Sequence, residues 1–301
     1  MPRRLAIALV SILAGCASQV TPSDDRPVVV TTSAITSDLV GRIAGAAVEL
    51  VTLVPNAVDT HTYEPRASEL RALDTAALVF LPDADLNPGI TQVVRITVGK
   101  ENVVDLNAEG LSDEDYVYRE PATRNGRNVH TWTDPLLTRK WVPVIVEALV
   151  GLDPARAAEF RSAGAALEAE IDALHEEIVS GSAAVPATVR KLVVYHDAWE
   201  YFGRRYGFTV VGALQAVDFS EPSVAEVAAM AEQIRNEKVP AFFGSEVFPS
   251  DVMEALERES GAEYVPDLAD DRLPGEPGGG QHNYVSMMRE NLTAITRSLV
   301  P

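Results

Sequence analysis

The chain has 301 residues, of which 47% are hydrophobic, and a formal net charge of −19 at pH 7. The apolar content excludes wholesale disorder, and the acidic charge excludes a surface that attracts nucleic acid. A single cysteine excludes an intrachain disulfide, so the stability of the folded part must come from its hydrophobic core.

The first predicted element is a secretory signal. Two arginines precede an apolar run, residues 5–13, that is too short to span a bilayer as a mature helix. The run ends in Leu-Ala-Gly-Cys, where bacterial lipoproteins are cleaved and acylated. We therefore predict a signal peptide at residues 1–15, lipid on Cys16 and a linker at residues 16–26. The alternative, an ordinary signal peptide, would leave an unpaired thiol in an exported protein.

The next part of the chain alternates between apolar, β-rich runs and helical stretches. Strands are predicted at residues 27–32, 48–54 and 77–81, and helices at residues 37–46 and 68–77. Such alternation is typical of an α/β fold with a parallel sheet between helices. In this fold class ligands bind beyond the carboxyl ends of the strands.

The middle of the chain is predicted to be helical, at residues 135–149 and 154–180. The second helix starts with an Asp-Pro pair, which suits an N-cap and a first helical position. At 1.5 Å per residue this helix would be roughly 40 Å long. It is long enough to run along a pair of domains.

Strands and helices alternate again in the last part of the chain. Strands are predicted at residues 191–195, 209–213, 241–244 and 264–265, and helices at residues 223–237, 250–260 and 284–299. The second half therefore repeats the architecture of the first without visible sequence repetition. A stretch rich in glycine and proline, residues 273–283, is predicted to be a mobile loop.

Three of the five histidines lie in contexts that indicate a metal site: His61 in VDTHTYEP, His130 in NVHTWTDP and His196 in VVYHDAWEYFG. If these imidazoles converge with one carboxylate, they form a closed site for a divalent cation.

Six motifs follow one another along nearly the whole mature chain. They are the Cys16 lipobox, Leu53-Val54-Pro55 followed by His61-Thr62-Tyr63-Glu64-Pro65, His130-x-Trp132-x-Asp134-Pro135, His196-Asp197-Ala198-Trp199-x-Tyr201-Phe202-Gly203, Glu221-Pro222-Ser223, and Tyr284-x-x-Met287-Met288-x-x-Asn291-Leu292. Together they resemble the substrate-binding lipoproteins of zinc and manganese ABC transporters, cluster A-I, of the zinc-binding type.

The resemblance implies two Rossmann-like lobes with parallel sheets, joined by one long rigid helix, and a metal site in the cleft between them. Residues 27–135 would form the N-terminal lobe, residues 136–185 a helical linker and residues 186–301 the C-terminal lobe. Such a protein is a monomer and not an enzyme. It captures extracytoplasmic Zn²⁺ as cargo for a cognate permease while lipid on Cys16 anchors it to the membrane.

By position, the resemblance implies that His61 and His130 are ligands from the first lobe and that His196 is the ligand from the second. The fourth ligand in this family is an aspartate shortly before the final helix. Asp271 matches best, although the residue after it is an arginine where a small residue is usual. Asp267 and Asp270 are the neighbouring alternatives. Three imidazoles and one carboxylate suit tetrahedral Zn²⁺, whereas Mn²⁺ prefers more oxygen.

Other polar residues have two interpretations each. Glu64, Asp134 and Glu246 either orient the ligand imidazoles or serve as turn, cap and strand-end residues. His282 is either an auxiliary ligand or part of the loop, and His175 is expected to be a solvated helix residue.

Two common family features are missing, a histidine-rich loop between the first two ligand segments and a second cysteine. Zinc acquisition then relies on the primary site alone or on an accessory metal-delivery protein. The alternatives are a manganese-binding member of the family, a zinc-dependent adhesin and an anchored zinc hydrolase. The sequence lacks the His-Glu-x-x-His and Gly-x-Ser-x-Gly motifs of common hydrolases.

Overall fold

The computed structural model describes residues 26–118, 126–215, 221–244 and 250–300. The predicted signal peptide, Cys16 and Glu246 lie outside the described residues.

Eight strands in the described residues form two parallel sheets of four strands each. The strands are β1 (Val28–Thr31), β2 (Glu49–Thr52), β3 (Ala76–Leu81), β4 (Val103–Asp105), β5 (Lys191–His196), β6 (Thr209–Gln215), β7 (Ala241–Phe243) and β8 (Glu263–Val265). The first sheet has the order β2-β1-β3-β4, and the second has the corresponding order β6-β5-β7-β8. The predicted α/β class and the repeated architecture are therefore confirmed.

Ten α-helices in the described residues flank or connect the sheets. They are α1 (Ala34–Ala44), α2 (Ala67–Leu70), α3 (Pro88–Val98), α4 (Leu106–Gly110), α5 (Pro135–Leu152), α6 (Ala157–Ala184), α7 (Glu200–Tyr206), α8 (Val224–Glu237), α9 (Ser250–Ser260) and α10 (Tyr284–Leu299). Within the part of the chain that the structure describes, no helix has both the length and the apolar character to cross a membrane.

The predicted long helix is present as α6, whose 28 residues extend about 42 Å at 1.5 Å per residue. It begins later than predicted because Pro154–Arg156 form a 3₁₀ turn ahead of it. Helix α6 packs against α1 of the first half and against α7 and α10 of the second. One helix therefore contacts helices of both halves of the chain.

One hydrophobic core extends through both halves and includes Val29 of β1, Val194 of β5 and Tyr284 of α10. The Tyr284 hydroxyl donates to the carbonyl oxygen of Trp132 (2.7 Å), and its backbone N–H donates to Asp38 Oδ2 (2.9 Å). The last helix of the chain is thus held against the first half.

Neither α3 nor β4 is predicted from the sequence. Strand β4 has only three residues and follows a polar 3₁₀ turn, Lys100–Asn102, so no apolar run marks it. Helix α3 does carry a local signal, because Asn87 caps it and Pro88 occupies its first position.

Candidate metal site

Three imidazoles from different parts of the chain meet at the carboxyl ends of the two sheets. His61 lies in the loop after β2, His130 lies just before α5, and His196 is the last residue of β5. Their ring centroids are 4.9 Å (His61 to His130), 5.0 Å (His61 to His196) and 4.5 Å (His130 to His196) apart. One nitrogen of each ring lies within 4.8 Å of the other two. The structure therefore brings the three predicted histidines together.

The loop that carries His61 is fixed by Asn87 at the start of α3. The Asn87 amide donates to the carbonyl oxygens of Thr60 and Tyr63, at 2.8 and 3.0 Å. His61 Nδ1 lies 3.0 Å from the carbonyl oxygen of Leu86. Because a carbonyl oxygen only accepts, Nδ1 carries the proton, and Nε2 of the neutral ring carries a lone pair.

His130 is oriented by Asn128, two residues before it. Asn128 Oδ1 accepts from both the backbone N–H (3.0 Å) and Nδ1 (2.7 Å) of His130. The Asn128 amide nitrogen donates to the carbonyl oxygen of Asp197 (3.0 Å), and this bond fixes the orientation in which Oδ1 faces His130. Nδ1 of His130 therefore donates, and the bond to Asp197 joins this segment to the end of β5.

His196 is oriented by Asp270. Its Nδ1 donates to Asp270 Oδ2 at 2.7 Å, with both side chains buried. The carbonyl oxygen of Asp270 accepts from Trp132 Nε1 (2.7 Å). Asn291 on α10 bonds the backbone N–H and carbonyl of Ala269 at 2.8 and 2.7 Å. Asp270 therefore orients an imidazole, a role that the sequence analysis does not assign to it.

The Nε2 atoms of His61 and His130 are only 2.9 Å apart. Two lone pairs at this distance repel each other unless a proton or a metal ion lies between them. Burial and the charge of His196 lower the pKa of His61 well below its ordinary value. Burial also opposes charge on His196, but its hydrogen bond to Asp270 and the nearby carboxylates raise its pKa. Positive charge in the metal-free site is therefore favoured on His196 over His61.

Asp271 places a carboxylate beside His61. It forms a group of candidate ligands with His61 and Asp59, whose ligand atoms lie within 4.8 Å of one another. Asp271 Oδ2 is buried and accepts no hydrogen bond. Burial and the charge of Asp270 raise the pKa of Asp271 to about 8. A buried carboxylate oxygen without a donor, on a residue grouped with the His61 imidazole, fits a cation ligand.

The other predicted site residues lie elsewhere. Asp267 and Glu64 are exposed, and neither belongs to a group of candidate metal ligands in the described residues. Asp134 Oδ1 accepts from the N–H of Leu136 as the N-cap of α5, and its Oδ2 accepts from Arg205 Nε (2.8 Å). For both residues the structure favours the second interpretation given above over an orienting role. Glu64 faces solvent, and Asp134 serves as a cap.

The two remaining histidines are outside the cluster. His282 Nδ1 lies 3.2 and 3.3 Å from the carbonyl oxygens of Pro274 and Gly275, within its own loop. His175 is half-buried and bonds the hydroxyl of Tyr206 at 3.0 Å, so it is not simply solvated as predicted.

The chain is similar to known metal-binding proteins in sequence and in fold. A sequence model of the family described as "Zinc-uptake complex component A periplasmic" (ZnuA) matches residues 29–298. The manganese-binding lipoprotein MntA of Halalkalibacterium halodurans is 25% identical over 98% of this chain and 96% of its own. The zinc-binding protein TroA of Treponema pallidum is 29% identical over 92% of this chain and 90% of its own. The solved TroA structure is similar with a TM-score of 0.84 and 28% identity, covering 92% of this chain and all of TroA.

Proposed function

This chain belongs to the ZnuA family of metal-binding, substrate-binding proteins of ABC transporters, and we propose that it captures Zn²⁺ outside the cytoplasm for a cognate permease. Members of this family are solute-binding proteins and not enzymes, which removes the anchored hydrolase as an alternative.

The observation that carries the proposal is the shared orientation of the three imidazoles. Each gives its Nδ1 proton to a protein oxygen, and together they present nitrogen lone pairs to one another. We propose an inner site with four ligands: His61, His130, His196 and Asp271. Four protein ligands complete a tetrahedral zinc shell and leave no position for a reactive water, as binding without catalysis requires.

Zinc is proposed over manganese because of the donor atoms. Three imidazole nitrogens match a borderline cation such as Zn²⁺, whereas Mn²⁺ favours carboxylate, carbonyl and water oxygens. The relatives include both a manganese-binding and a zinc-binding protein, so family membership alone does not choose between the metals. The second candidate is manganese, favoured by the additional carboxylate of Asp59 near the cluster.

We also propose where the protein acts and with which partners. Lipid on Cys16 would hold the protein at the membrane, in keeping with the name of the lipoprotein MntA. The protein would act as a monomer, with the permease as its obligatory partner. An accessory metal-delivery protein is a further candidate partner, because the chain lacks a histidine-rich loop.

Competition between Zn²⁺ and Mn²⁺ for metal-free protein tests the proposal. We expect one zinc per chain and displacement of bound Mn²⁺ by Zn²⁺. His130→Ala should weaken zinc binding more than about 100-fold, beyond the range for residues that only orient a ligand. His175→Ala, which removes a histidine outside the cluster, is the matched control. Tighter binding of Mn²⁺ would refute the zinc assignment. Equal effects of the two variants would refute His130 as a zinc ligand.

Uptake by the reconstituted permease distinguishes transport from zinc storage or adhesion. The proposal predicts zinc uptake that depends on this protein and is lost with His130→Ala. Unchanged uptake without the protein would favour an adhesin or storage role.

A further inference from the structure

Beside the inner site lies a second group of candidate ligands, which we call the outer site: Asp59, His61 and Asp271. Each offers one ligand atom, and these atoms lie within 4.8 Å of one another. Two members, His61 and Asp271, are also proposed ligands of the inner site. Asp59 belongs to the outer site alone.

Burial shows which of the two sites faces solvent. Asp59 and His61 are half-buried, whereas His130, His196 and Asp271 are buried. An ion that approaches from solvent therefore meets the outer site before it reaches the two buried imidazoles.

The carboxylate of Asp59 is held beside His61 and Asp271. Its Oδ1 accepts from the backbone N–H of His61 (2.9 Å), and its Oδ2 accepts from the Thr62 hydroxyl (2.6 Å). A carboxylate has about four lone-pair sites, so both oxygens keep capacity for a cation.

Asp271 supplies an independent sign that a cation belongs here. It is 6% exposed, and its Oδ2 has no hydrogen-bond partner although it is buried. Two ionised carboxylates this close would repel each other, and a dication bound between them removes that repulsion. One imidazole and two carboxylates suit a partly hydrated dication, because oxygen-rich sites usually retain water.

We propose that the outer site is a transient station for the divalent cation on its way into and out of the inner site. The ion first binds Asp59, His61 and Asp271 with water completing its shell. His130 and His196 then replace Asp59 and the water, while His61 and Asp271 remain bound. This proposal rests on the proposed function, since it describes how cargo reaches the inner site.

Stopped-flow measurement of Zn²⁺ association and dissociation tests the station with Asp59→Asn. The asparagine oxygen still accepts from the His61 N–H, and its amide can donate to Thr62, so the turn is kept while the charge is lost. An intermediate binding site on the path affects both the association and the dissociation of Zn²⁺. We therefore expect both rate constants to fall together by about tenfold, which leaves the Kd nearly unchanged.

Asp85→Asn is the matched control, because it removes an equal charge next to Leu86 but outside both sites. If Asp85→Asn slows association as much as Asp59→Asn, the effect is general electrostatic attraction of Zn²⁺. The outer site is then refuted as an intermediate. Unchanged rate constants in Asp59→Asn refute it as well. A large loss of affinity in Asp59→Asn would instead make Asp59 a ligand of the final complex, which also contradicts the proposal.

A double variant isolates the outer site. His130→Ala combined with His196→Ala should retain weak Zn²⁺ binding, and adding Asp59→Asn should abolish it. Residual binding that does not depend on Asp59 would overturn the proposal. Circular dichroism checks the fold of the double variant, and the rate constants of Asp59→Asn decide the question if that variant unfolds. A wild-type protein that binds no Zn²⁺ would contradict the proposed function instead.

Discussion

At the scale of single residues, the three clustered histidines use their Nδ1 atoms in the same way. The acceptors differ in kind: a backbone carbonyl at Leu86, an amide oxygen at Asn128 and a carboxylate at Asp270. Each acceptor fixes the tautomer and the rotation of its ring before a metal arrives. Such preorganisation reduces the ordering that binding would otherwise require.

Asp270→Ala should weaken zinc binding by about 10- to 100-fold, the usual effect of removing a group that orients a metal ligand. His196 would lose the acceptor for Nδ1 and adopt a mixture of tautomers. Asp270→Asn should recover most of the affinity, because its amide oxygen can accept the same proton. Isothermal titration with a competing chelator measures both, with the exposed Asp267→Asn as control. Equal losses in the two Asp270 variants would show that charge, and not orientation, is what Asp270 provides.

The affinity for zinc should rise with pH up to about pH 8. Burial raises the pKa of Asp271 to about 8, so at pH 7 the metal-free carboxyl holds a proton that the cation must displace. Below pH 8 each released proton weakens apparent binding by up to about tenfold per pH unit. Titrations at pH 6, 7 and 8 in two buffers of different ionisation enthalpy measure the affinity and the protons released. A flat affinity over this range would contradict a protonated Asp271.

At the scale of secondary structure elements, α5 and α6 are held together by a close approach at Gly164. A Cβ at this position would lie 2.5 Å from Val146 Cγ2 on α5. Gly151 in α5 is a natural control, because a Cβ there meets nothing within 4 Å.

Gly164→Ala should destabilise the protein by about 1–3 kcal/mol through overpacking. The higher helix propensity of alanine should offset up to about 1 kcal/mol of this loss. Gly151→Ala should be neutral or stabilise by up to about 1 kcal/mol. Urea denaturation measures both free energies of unfolding. A Gly164→Ala variant more stable than Gly151→Ala would contradict close packing at Gly164.

The elements that the sequence predicted share a strong local signal. Strands β1, β3 and β5 are continuous apolar runs, and the long helix shows apolar residues at helical spacing. Strand β4 lacks such a run and was missed. Among the orienting groups, Leu86 acts through its backbone and Asp270 lies 74 residues from His196, so no local pattern indicates either role. Asn128 and Asp59 do carry a local signal, because each lies two residues before a histidine of the site.

At the scale of the whole molecule, the continuous core and the position of α10 join the two sheets into one packed structure. Metal-free protein should therefore unfold in a single thermal transition. Zinc at 1,000 times the Kd should stabilise it by about 4 kcal/mol. At about 2–4 °C per kcal/mol, the Tm should rise by roughly 10 °C. Differential scanning calorimetry tests both points, and two separate transitions, only one of them shifted by zinc, would contradict a single cooperative core.

We propose that the three imidazoles and Asp271 hold the cargo ion, and a crystal structure with Zn²⁺ bound is the decisive test. Anomalous scattering at the zinc edge should show one ion with Zn–N distances of about 2.0–2.1 Å and a Zn–O distance of about 2.0–2.2 Å. The predicted ligands are Nε2 of His61, His130 and His196 and a carboxylate oxygen of Asp271. An ion bound elsewhere, ligation through Nδ1, or a shell in which water replaces Asp271 would contradict the account.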